Sequence, residues 1–370
     1  MRKVSFGVVG VGGVGRHHIK CMKEVEEVEV VAIADINENI GKAVAEEFKV
    51  DWYKDYTKMI ERDDIDAVSI CTPHFLHCSM ALDCIEAGKH VLVEKPMART
   101  VAECDVMIDK ARRAGIKLGV VFQHRTNPIV MAVKEYIDQG NLGKLYRGNL
   151  EYFTFRSQAY YDSGAWRGTW SMEGGGVLIN QGIHFIDIFQ WFIGLKPKRI
   201  SAFIGNMLHK IEVEDLASAI LEYEGGVQVT MQFSTIDEPG YRRITLRGDK
   251  SLLIYEENRA RIAITKPSLS GGVRESEKWG RPESEWDELK PKEVKISGHS
   301  AVIRDFALAI LEDRDPMVPG EEGIKSVEIV NGIIMSATLG KVIDFPIDRQ
   351  MYDKVISKLS ELKRIEVIRK

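Results

Sequence analysis

The chain has 370 residues, and its 51 basic and 55 acidic side chains give a formal net charge of −4. The length suits two domains, and the balanced charge excludes a general nucleic-acid binder, which needs a basic domain or stripe. No apolar run approaches the ~18 residues that cross a bilayer, and the N-terminus lacks the apolar region and cleavage site of a signal peptide. We therefore expect a cytoplasmic protein that binds neither nucleic acid nor membrane.

The cysteines form no C-x-x-C pair and no zinc-type spacing with histidine; they are Cys21, Cys71, Cys78, Cys84 and Cys104. An odd number of cysteines without a signal peptide indicates free, mostly buried thiols. We predict no bound metal, which argues against the zinc-dependent alcohol dehydrogenases.

The first 122 residues alternate short valine- and isoleucine-rich runs with segments of helical length. The runs predict strands at Val4–Val9, Val28–Ala34, Ala67–Ile70, His90–Val93 and Lys117–Val121. Helices are predicted between them, at Gly15–Glu26, Asn39–Phe48, Phe75–Ala87 and Thr100–Ala114. Such continuous runs suit a parallel sheet covered on both faces. Residues 1–122 are therefore predicted to form a doubly wound α/β domain.

Residues 123–370 are predicted to form an α+β domain with a large, mostly antiparallel open sheet, because short glycine-containing turns join consecutive strands. Helices are predicted at Pro128–Gln139 and Gly176–Gly194, with strands at Leu145–Phe155, Arg199–Gly205, Leu216–Tyr223, Val227–Phe233, Arg243–Gly248, Ser251–Tyr255 and Arg259–Ile264. Residues 266–292 are predicted to be an irregular surface loop. The last helices, His299–Glu312 and Glu321–Lys341, are candidates to pack back on the first domain.

A glycine motif lies between the first strand and the first helix. Gly10, Gly12 and Gly15, with Gly13 and Val14 between them, fit G-x-G-x-x-G. The first glycine permits a tight turn, the second lets the backbone approach a pyrophosphate, and the third lets helix and strand pack closely. The helix N-terminus offers N–H groups to phosphates, so the motif predicts a dinucleotide site.

Asp35 ends the second predicted strand, 20 residues after Gly15, where a carboxylate can bind ribose hydroxyls. Its charge repels a 2′-phosphate, and Ile36 and Asn37 supply no cation to bind one. The sequence therefore favours NAD over NADP. Alternatively, Asp35 is only a helix N-cap.

Lys95 lies at the carboxyl end of a predicted strand, at the edge where open parallel sheets bind ligands. Pro96 restricts the backbone after it and is a candidate for a cis bond. Glu94 is expected either to pair with Lys95 or to cap the helix that starts near Thr100.

Three glycines, 174–176, precede a helix in which Asn180, His184 and Asp187 are four and three residues apart and share one face. A single histidine in an apolar helix is more often a core residue than a catalyst. A stripe of three polar residues favours a site, because buried polar groups have to be satisfied together.

Together these motifs resemble the Gfo/Idh/MocA oxidoreductases, named from glucose–fructose oxidoreductase, inositol dehydrogenase and a rhizopine-catabolism protein. The resemblance covers nearly the whole chain and rests on the glycine motif, Thr72-Pro73 with His77, Gly88 to Pro96, Trp166-Arg167, and Gly174 to Asp187. It implies a Rossmann domain, then an open-sheet domain whose exposed face mediates homodimers or homotetramers.

The resemblance also implies site residues. Lys95 and His184 would be catalytic, and the cofactor contacts would come from Gly10, Gly12, Gly13, Val14, Gly15, Asp35, Thr72, Pro73, His77, Glu94 and Lys95. His77 has a structural alternative, as a residue of the helix that begins after Pro73. In such a site, His184 takes the hydroxyl proton of an alcohol, and Lys95 stabilises the developing negative charge on the oxygen.

The chain departs from the family at Asn180, where many members carry Asp. An amide can orient a hydroxyl but cannot hold negative charge, so Asn180 is a candidate for orienting substrate, and His184 would depend on Asp187 or water instead. The other substrate candidates are Trp166, Arg167 and Arg125, for which a structural salt bridge is an equal alternative. Trp170 has a simple core role as its alternative, and Tyr152, Tyr160 and Tyr161 are candidates for sugar contacts or for packing.

We thus expect an NAD-dependent dehydrogenase acting on a secondary hydroxyl, with the 3-position as a candidate, of a sugar, cyclitol or nucleotide-linked sugar. The alternatives are a non-catalytic nucleotide-sensing regulator of the same fold and an enzyme in which tightly bound NAD cycles between two sugars.

Overall fold

The computed structural model describes residues 2–365, which form two compact units. Residues up to Thr126, together with Met172–Gly174 and Lys295–Val327, form the first unit. Asn127–Ser171, Gly175–Val294 and the described residues from Glu328 onward form the second. The segment Lys295–Val327 thus belongs to the first unit although it follows most of the second unit in sequence.

Strands and helices are numbered in chain order. The strands are β1 Val4–Val9, β2 Val28–Ala34, β3 Asp51–Tyr53, β4 Ala67–Ile70, β5 His90–Glu94, β6 Leu118–Val121, β7 Leu145–Phe155, β8 Pro197–Gly205, β9 Leu216–Tyr223, β10 Gln228–Ser234, β11 Ile236–Gly248, β12 Ser251–Glu256, β13 Arg259–Lys266, β14 Glu283–Leu289 and β15 Ile343–Asp344.

The helices are α1 Gly13–Lys23, α2 Glu38–Phe48, α3 Tyr56–Ile60, α4 His74–Glu86, α5 Val101–Ala114, α6 Pro128–Asp138, α7 Gln158–Asp162, α8 Ile183–Ile193, α9 Leu269–Glu275, α10 Gly298–Leu311, α11 Gly320–Leu339 and α12 Arg349–Leu362. Short 3₁₀ turns lie at Gln123–Thr126 and Glu224–Gly226, and a π-helical turn lies at Leu178–Gly182.

The first unit contains a parallel sheet in the order β3-β2-β1-β4-β5-β6, which confirms the predicted Rossmann fold. Most of its strands are buried, such as the fully buried β4, because helices cover both faces; the edge strand β3 is partly exposed. On one face α10 joins the core, with the rings of Phe306 and Phe6 6.3 Å apart. The carboxyl ends of β1 and β2 lie at the same edge of the sheet as that of β5, and this places Lys95 at the edge that carries the glycine motif.

The second unit contains a mixed, mostly antiparallel sheet in the order β14-β13-β12-β11-β7-β10-β9-β8-β15. Within residues 2–365, all pairings between named strands of this sheet are antiparallel except that of β7 with β10, which is parallel. Buried and exposed residues alternate along β9 and β10, as expected when one face packs and the other meets solvent. Helix α8 covers the packed face through its aromatic side chains: Phe189, for example, meets Tyr223 with ring centroids 6.3 Å apart.

Two expectations about secondary structure were wrong, and several elements were not expected. The predicted loop 266–292 contains α9 and the edge strand β14, whose sequence, ESEWDEL, is almost entirely exposed and shows no apolar alternation. The strand is held by backbone pairing with β13, which leaves no signal in a sequence. The predicted helix Gly176–Gly194 is interrupted by the π turn. Short elements such as β3, α3 and α7, and the longer α12, were not anticipated.

All five cysteines are free, and three of them are buried, as expected. Among residues 2–365, no helix combines the length and apolar character that a bilayer-spanning helix needs.

Candidate active site

The glycines of the first motif have the distinct surroundings that the motif predicts. Gly10 has a positive φ of 81°, and a Cβ there would lie 2.9 Å from the carbonyl oxygen of Cys71. A Cβ on Gly15 would lie 2.0 Å from the carbonyl oxygen of Gly10. By contrast, the space around Gly12 and Gly13 is open to 4 Å. The outer glycines therefore shape the turn, and the inner two leave the backbone accessible to a bulky anionic group.

Asp35 is bound to this loop and does not cap a helix. Its carboxylate accepts hydrogen bonds from the backbone N–H groups of Val11, at 2.9 Å, and Asn37, at 2.8 Å. Asn37 is itself the N-cap of α2, so the alternative interpretation of Asp35 was wrong. The negative charge is thereby fixed beside the glycine motif, where it fits a ribose and opposes a 2′-phosphate.

The backbone of Lys95 is bound by the side chain of the preceding residue, Glu94. The Lys95–Pro96 peptide bond is cis, and the Glu94 carboxylate accepts a hydrogen bond from the backbone N–H of Lys95 at 3.1 Å. Thr100 and Glu103 form the capping box of α5, so the alternative that Glu94 caps this helix was wrong. The hydrogen bond to Glu94 holds the backbone from which the half-buried Lys95 side chain extends.

Glu94 lies in a buried charged cluster. Its Oε1 is 2.8 Å from His18 Nε2, and His18 Nδ1 is 2.9 Å from Ser69 Oγ. Burial alone would raise the pKa of Glu94, but hydrogen bonding to His18 and His299 and the charge of Lys95 hold that pKa well below its ordinary value. Glu94 is therefore an anion bound to this unit's own histidines.

His77 connects two of the sequence motifs. Its ring nitrogens each lie 2.8 Å from a backbone carbonyl oxygen, Nδ1 from that of Pro96 and Nε2 from that of Thr72. Burial lowers the pKa of His77. The side chain is fully buried, and these contacts favour the structural alternative, in which His77 links the Thr72-Pro73 turn to the segment after Lys95.

Arg125 is buried and forms an ion pair with Glu322 within the first unit. The distance from Arg125 Nη2 to Glu322 Oε2 is 3.4 Å. This is the salt bridge that sequence reasoning weighed against substrate binding.

In the second unit, close backbone packing and a carboxylate shape the turn before α8. A Cβ on Gly176 would lie 1.9 Å from the carbonyl oxygen of Glu214, and one on Gly182 would lie 2.7 Å from the Phe233 ring. The buried Glu214 carboxylate accepts hydrogen bonds from the N–H groups of Gly176, at 2.8 Å, and Leu178, at 3.1 Å. Sequence reasoning missed Glu214, because nothing in its local sequence marks it as a partner of this turn.

The π turn is closed by a hydrogen bond from the N–H of Gly182 to the carbonyl oxygen of Val177, at 2.7 Å. Such wide turns are frequent at functional sites. Because the turn is wider than an α-helical turn, the spacing of Asn180 and His184 no longer guarantees the shared face that a uniform helix would give them.

Four side chains meet at one phenolic oxygen and are called the Tyr160 cluster: Tyr160, Arg167, Asn180 and Gln181. The Tyr160 hydroxyl oxygen lies 2.7 Å from Arg167 Nη1, 3.2 Å from Asn180 Nδ2 and 3.1 Å from Gln181 Nε2. Arg167 also lies over the rings of Tyr160, at 4.5 Å, and Trp166, at 4.4 Å. The structure thus brings together three predicted substrate residues, Asn180, Arg167 and Trp166, around a tyrosine.

The cluster also has a cationic side. The guanidinium of Arg156 lies 5.3 Å from the Tyr160 ring centre, so two arginines flank one aromatic ring. The sequence alone assigned no site role to Arg156 or Gln181, because their contacts with Tyr160 are visible only in the structure.

His184 is half-buried in the first turn of α8, and Asp187 is 1% exposed in the same helix. Trp170 is fully buried, in agreement with its core alternative. Lys95 belongs to the first unit, whereas His184 and the Tyr160 cluster belong to the second.

Two family models match the chain. Residues 4–122 match an oxidoreductase family with an NAD-binding Rossmann fold, and residues 130–254 match the GFO/IDH/MocA C-terminal domain. The chain belongs to the Gfo/Idh/MocA family. As a member of this family it is an oxidoreductase whose cofactor is NAD, and the open backbone at Gly12 and the fixed carboxylate of Asp35 fit that cofactor.

Curated members of the Gfo/Idh/MocA family are similar over most of their length. The chain is 26% identical over 267 residues to a myo-inositol 2-dehydrogenase of Thermotoga maritima, covering 70% of this chain and 78% of that protein. It is 28% identical over 248 residues to a scyllo-inositol 2-dehydrogenase (NAD(+)) of Bacillus subtilis, covering 65% and 69%.

Among solved structures, the WlbA dehydrogenase from Bordetella pertussis, in complex with NADH and UDP-GlcNAcA, is 28% identical with a TM-score of 0.80. The match covers 94% of this chain and all of that one.

Proposed function

We propose that this enzyme transfers a hydride between NAD and a secondary hydroxyl or ketone of a sugar, cyclitol or nucleotide-linked sugar. The observation that carries the proposal is the Tyr160 cluster, because two buried amides and a half-buried guanidinium around one hydroxyl suit a substrate with many oxygens. The relatives named as inositol dehydrogenases, and the neighbour that binds NADH with UDP-GlcNAcA, support this substrate class.

We propose Lys95 and His184 as the catalytic residues. In the oxidative direction His184 accepts the hydroxyl proton, and the Lys95 ammonium donates a hydrogen bond to the same oxygen as its negative charge develops. The nicotinamide, when bound, accepts the hydride. In reduction the hydride would be delivered to the carbonyl carbon, and His184 returns its proton to the oxygen while Lys95 keeps its hydrogen bond to that oxygen.

The remaining residues have supporting roles in this proposal. The substrate or His184 is oriented by four residues: Asn180, Trp166, Arg167 and Asp187. Asn180 acts by hydrogen bonding alone, because its amide carries no charge. The contacts of Arg125 with Glu322 and of His77 with two carbonyl oxygens give these two residues positioning roles in the first unit.

The two guanidiniums beside Tyr160 favour an anionic substrate over a neutral cyclitol. Arginine binds carboxylate and phosphate oxygens strongly, and a nucleotide-linked sugar acid carries both. We therefore propose nucleotide-linked uronates as substrates ahead of free myo- or scyllo-inositol. Within these substrates we propose that the ring 3-hydroxyl is oxidised.

The test is a substrate panel. The purified enzyme is incubated with NAD and either nucleotide-linked uronates, the matching nucleotide sugars whose sugar lacks the carboxylate, or the uncharged inositols, and the absorbance of reduced nicotinamide is followed. We expect the acidic substrates to give the highest kcat/KM. Equal rates with the nucleotide sugars that lack the carboxylate would contradict recognition of the carboxylate, and no reduction of NAD by any sugar or cyclitol would contradict the function.

Whether NAD leaves after each turnover is tested separately. Released nucleotide is measured after denaturing the purified protein; stoichiometric NAD or NADH would favour an enzyme that cycles between two sugars, and nucleotide-free protein would favour an ordinary dehydrogenase.

We also propose that the enzyme forms a homodimer or homotetramer through the outer face of the second sheet. That face is mostly polar, but it exposes Phe203 at 80% and Ile220 at 63% on the neighbouring strands β8 and β9. Light scattering at micromolar concentration tests this, and a monomer would exclude it.

A further inference from the structure

The first unit contains a group of histidines that the proposed hydride transfer does not use. His18 Nε2, Glu94 Oε1 and His299 Nε2 all lie within 4.8 Å of one another. Glu94 Oε1 is 2.8 Å from His18 Nε2 and 3.7 Å from His299 Nε2. The three residues come from α1, the end of β5 and the start of α10, so no local spacing in the sequence reveals them.

We propose that His18, Glu94 and His299 form a zinc site. Two imidazoles and one carboxylate are a donor set that zinc uses, with roughly 2.0–2.1 Å between the metal and each ligand atom. Ligand atoms around a tetrahedral zinc are then about 3.3 Å apart. The two ligand distances from Glu94, 2.8 and 3.7 Å, lie on either side of this value. The two histidine nitrogens lie within 4.8 Å of each other and move closer together when an ion binds between them.

The surrounding residues satisfy a second requirement. A histidine that binds a metal through one nitrogen is oriented by a hydrogen bond at the other. His18 Nδ1 lies 2.9 Å from Ser69 Oγ, and His299 Nδ1 lies 3.3 Å from His17 Nε2. The second carboxylate oxygen of Glu94 accepts the backbone N–H of Lys95. Each proposed ligand therefore already has an outer partner.

Burial and access also fit a bound ion. The His18 side chain is fully buried and that of Glu94 is 10% exposed, whereas the His299 side chain is 19% exposed. Two ligands lie in the interior, and the third provides a route for the ion and for a water in the fourth position. The ion would join α1, β5 and α10, elements far apart in sequence, immediately before Lys95.

The experiment uses the full chain without a histidine tag, stripped with a chelator and free of nucleotide. Isothermal titration with Zn²⁺ measures stoichiometry and affinity, and Co²⁺ replaces zinc to give visible absorption bands typical of tetrahedral nitrogen and oxygen coordination. Mg²⁺ is the control ion, because it prefers oxygen ligands in octahedral geometry.

We expect one zinc ion per chain, a raised melting temperature with zinc, and tetrahedral cobalt bands. His299→Ala should abolish the bands and weaken zinc binding at least 100-fold, and His17→Ala, which removes only an outer partner, should weaken it about 10- to 100-fold. The matched control is His209→Ala, which removes a histidine beside a single carboxylate, Asp215, at 3.1 Å in the second unit and should leave zinc binding unchanged.

Failure to bind zinc stoichiometrically, or zinc binding of equal strength in folded His299→Ala, would overturn the proposal. The cluster would then be a hydrogen-bonded ion pair between His18 and Glu94. Because the readouts are binding and spectra, the result is independent of whether the substrate assignment is correct.

Discussion

The two units organise their polar groups in different ways. In the first, the residues of the glycine motif, Asp35 and His77 make their contacts with backbone groups: the glycines are open, the aspartate is bound to two N–H groups, and the histidine lies between two carbonyl oxygens. In the second, side chains from α7, the chain around Arg167 and the π turn meet at the hydroxyl of Tyr160. A site built from backbone groups requires a fixed spacing of its residues along the chain. A cluster of side chains requires no such spacing and is therefore hard to recognise from the sequence.

In our proposal the first unit binds the nucleotide and the second unit binds the substrate. Lys95 is the exception to test first, since it belongs to the first unit but is proposed to act on substrate. Lys95→Ala should lower kcat by a factor on the order of 10² or more, as expected on losing one donor to a developing oxyanion. NAD affinity, measured by titration calorimetry, should change little.

Near-normal turnover in this variant would remove Lys95 from the chemistry. A large loss of NAD affinity would instead assign it to the nucleotide.

Substitution of Asp35 tests how the first unit selects its nucleotide. Asp35→Ala should lower the ratio of kcat/KM for NAD over NADP by about 10- to 100-fold, because a charged hydrogen-bond partner worth about 1.5–3 kcal/mol is lost along with the repulsion of a 2′-phosphate. Asp35→Asn is the matched control, since it keeps an acceptor for the loop and removes only the charge. An unchanged ratio in both variants would show that cofactor choice is made elsewhere.

Tyr160 tests the substrate side. Tyr160→Phe removes the oxygen that three donors share and should raise the substrate KM about tenfold, equivalent to about 1.4 kcal/mol, with NAD affinity unchanged. Tyr146→Phe is the control, because that hydroxyl binds Asp249 at the surface of the same unit. Equal KM values in the two variants would mean that the cluster is only structural.

His77 tests a smaller, structural difference. Burial lowers its pKa below the ordinary 6.5, so the unfolded chain binds the proton more readily and the folded state loses stability as pH falls below 6.5. The loss is at most about 1.4 kcal/mol per pH unit. Urea unfolding of wild type and His77→Gln is measured at pH 5.5 and 7.5. The free energies of unfolding of the two proteins should differ less at pH 5.5 than at pH 7.5. A difference that does not change with pH would contradict a neutral, buried His77.

Much of the first unit was predictable. Continuous apolar runs gave β1, β2 and β4 with their observed bounds, and the spacing of Gly10, Gly12 and Gly15 to Asp35 follows from how adjacent parallel strands end at one edge. The three-residue β3 is too short to form a pattern. The exposed β14 has no apolar periodicity, because it buries almost no side chain and is held mainly by its backbone pairing with β13.

The site of the second unit was predictable only in part. Asn180 and Arg167 were named from motifs, but their meeting at Tyr160 depends on the π turn, which no residue type specifies. Glu214 and His299 acquire their partners through tertiary contacts across long stretches of chain, which a single sequence does not reveal.

The central claim is that Lys95 and His184 act on one substrate oxygen, and a double-mutant cycle tests it most directly. The kcat of Lys95→Ala, His184→Asn and the double variant is measured with the best substrate, after NAD binding has been verified in each. Groups that act as a unit lose activity non-additively, so the double variant should be about as slow as the slower single variant. Losses that multiply would show that the two residues act independently, and would contradict the mechanism.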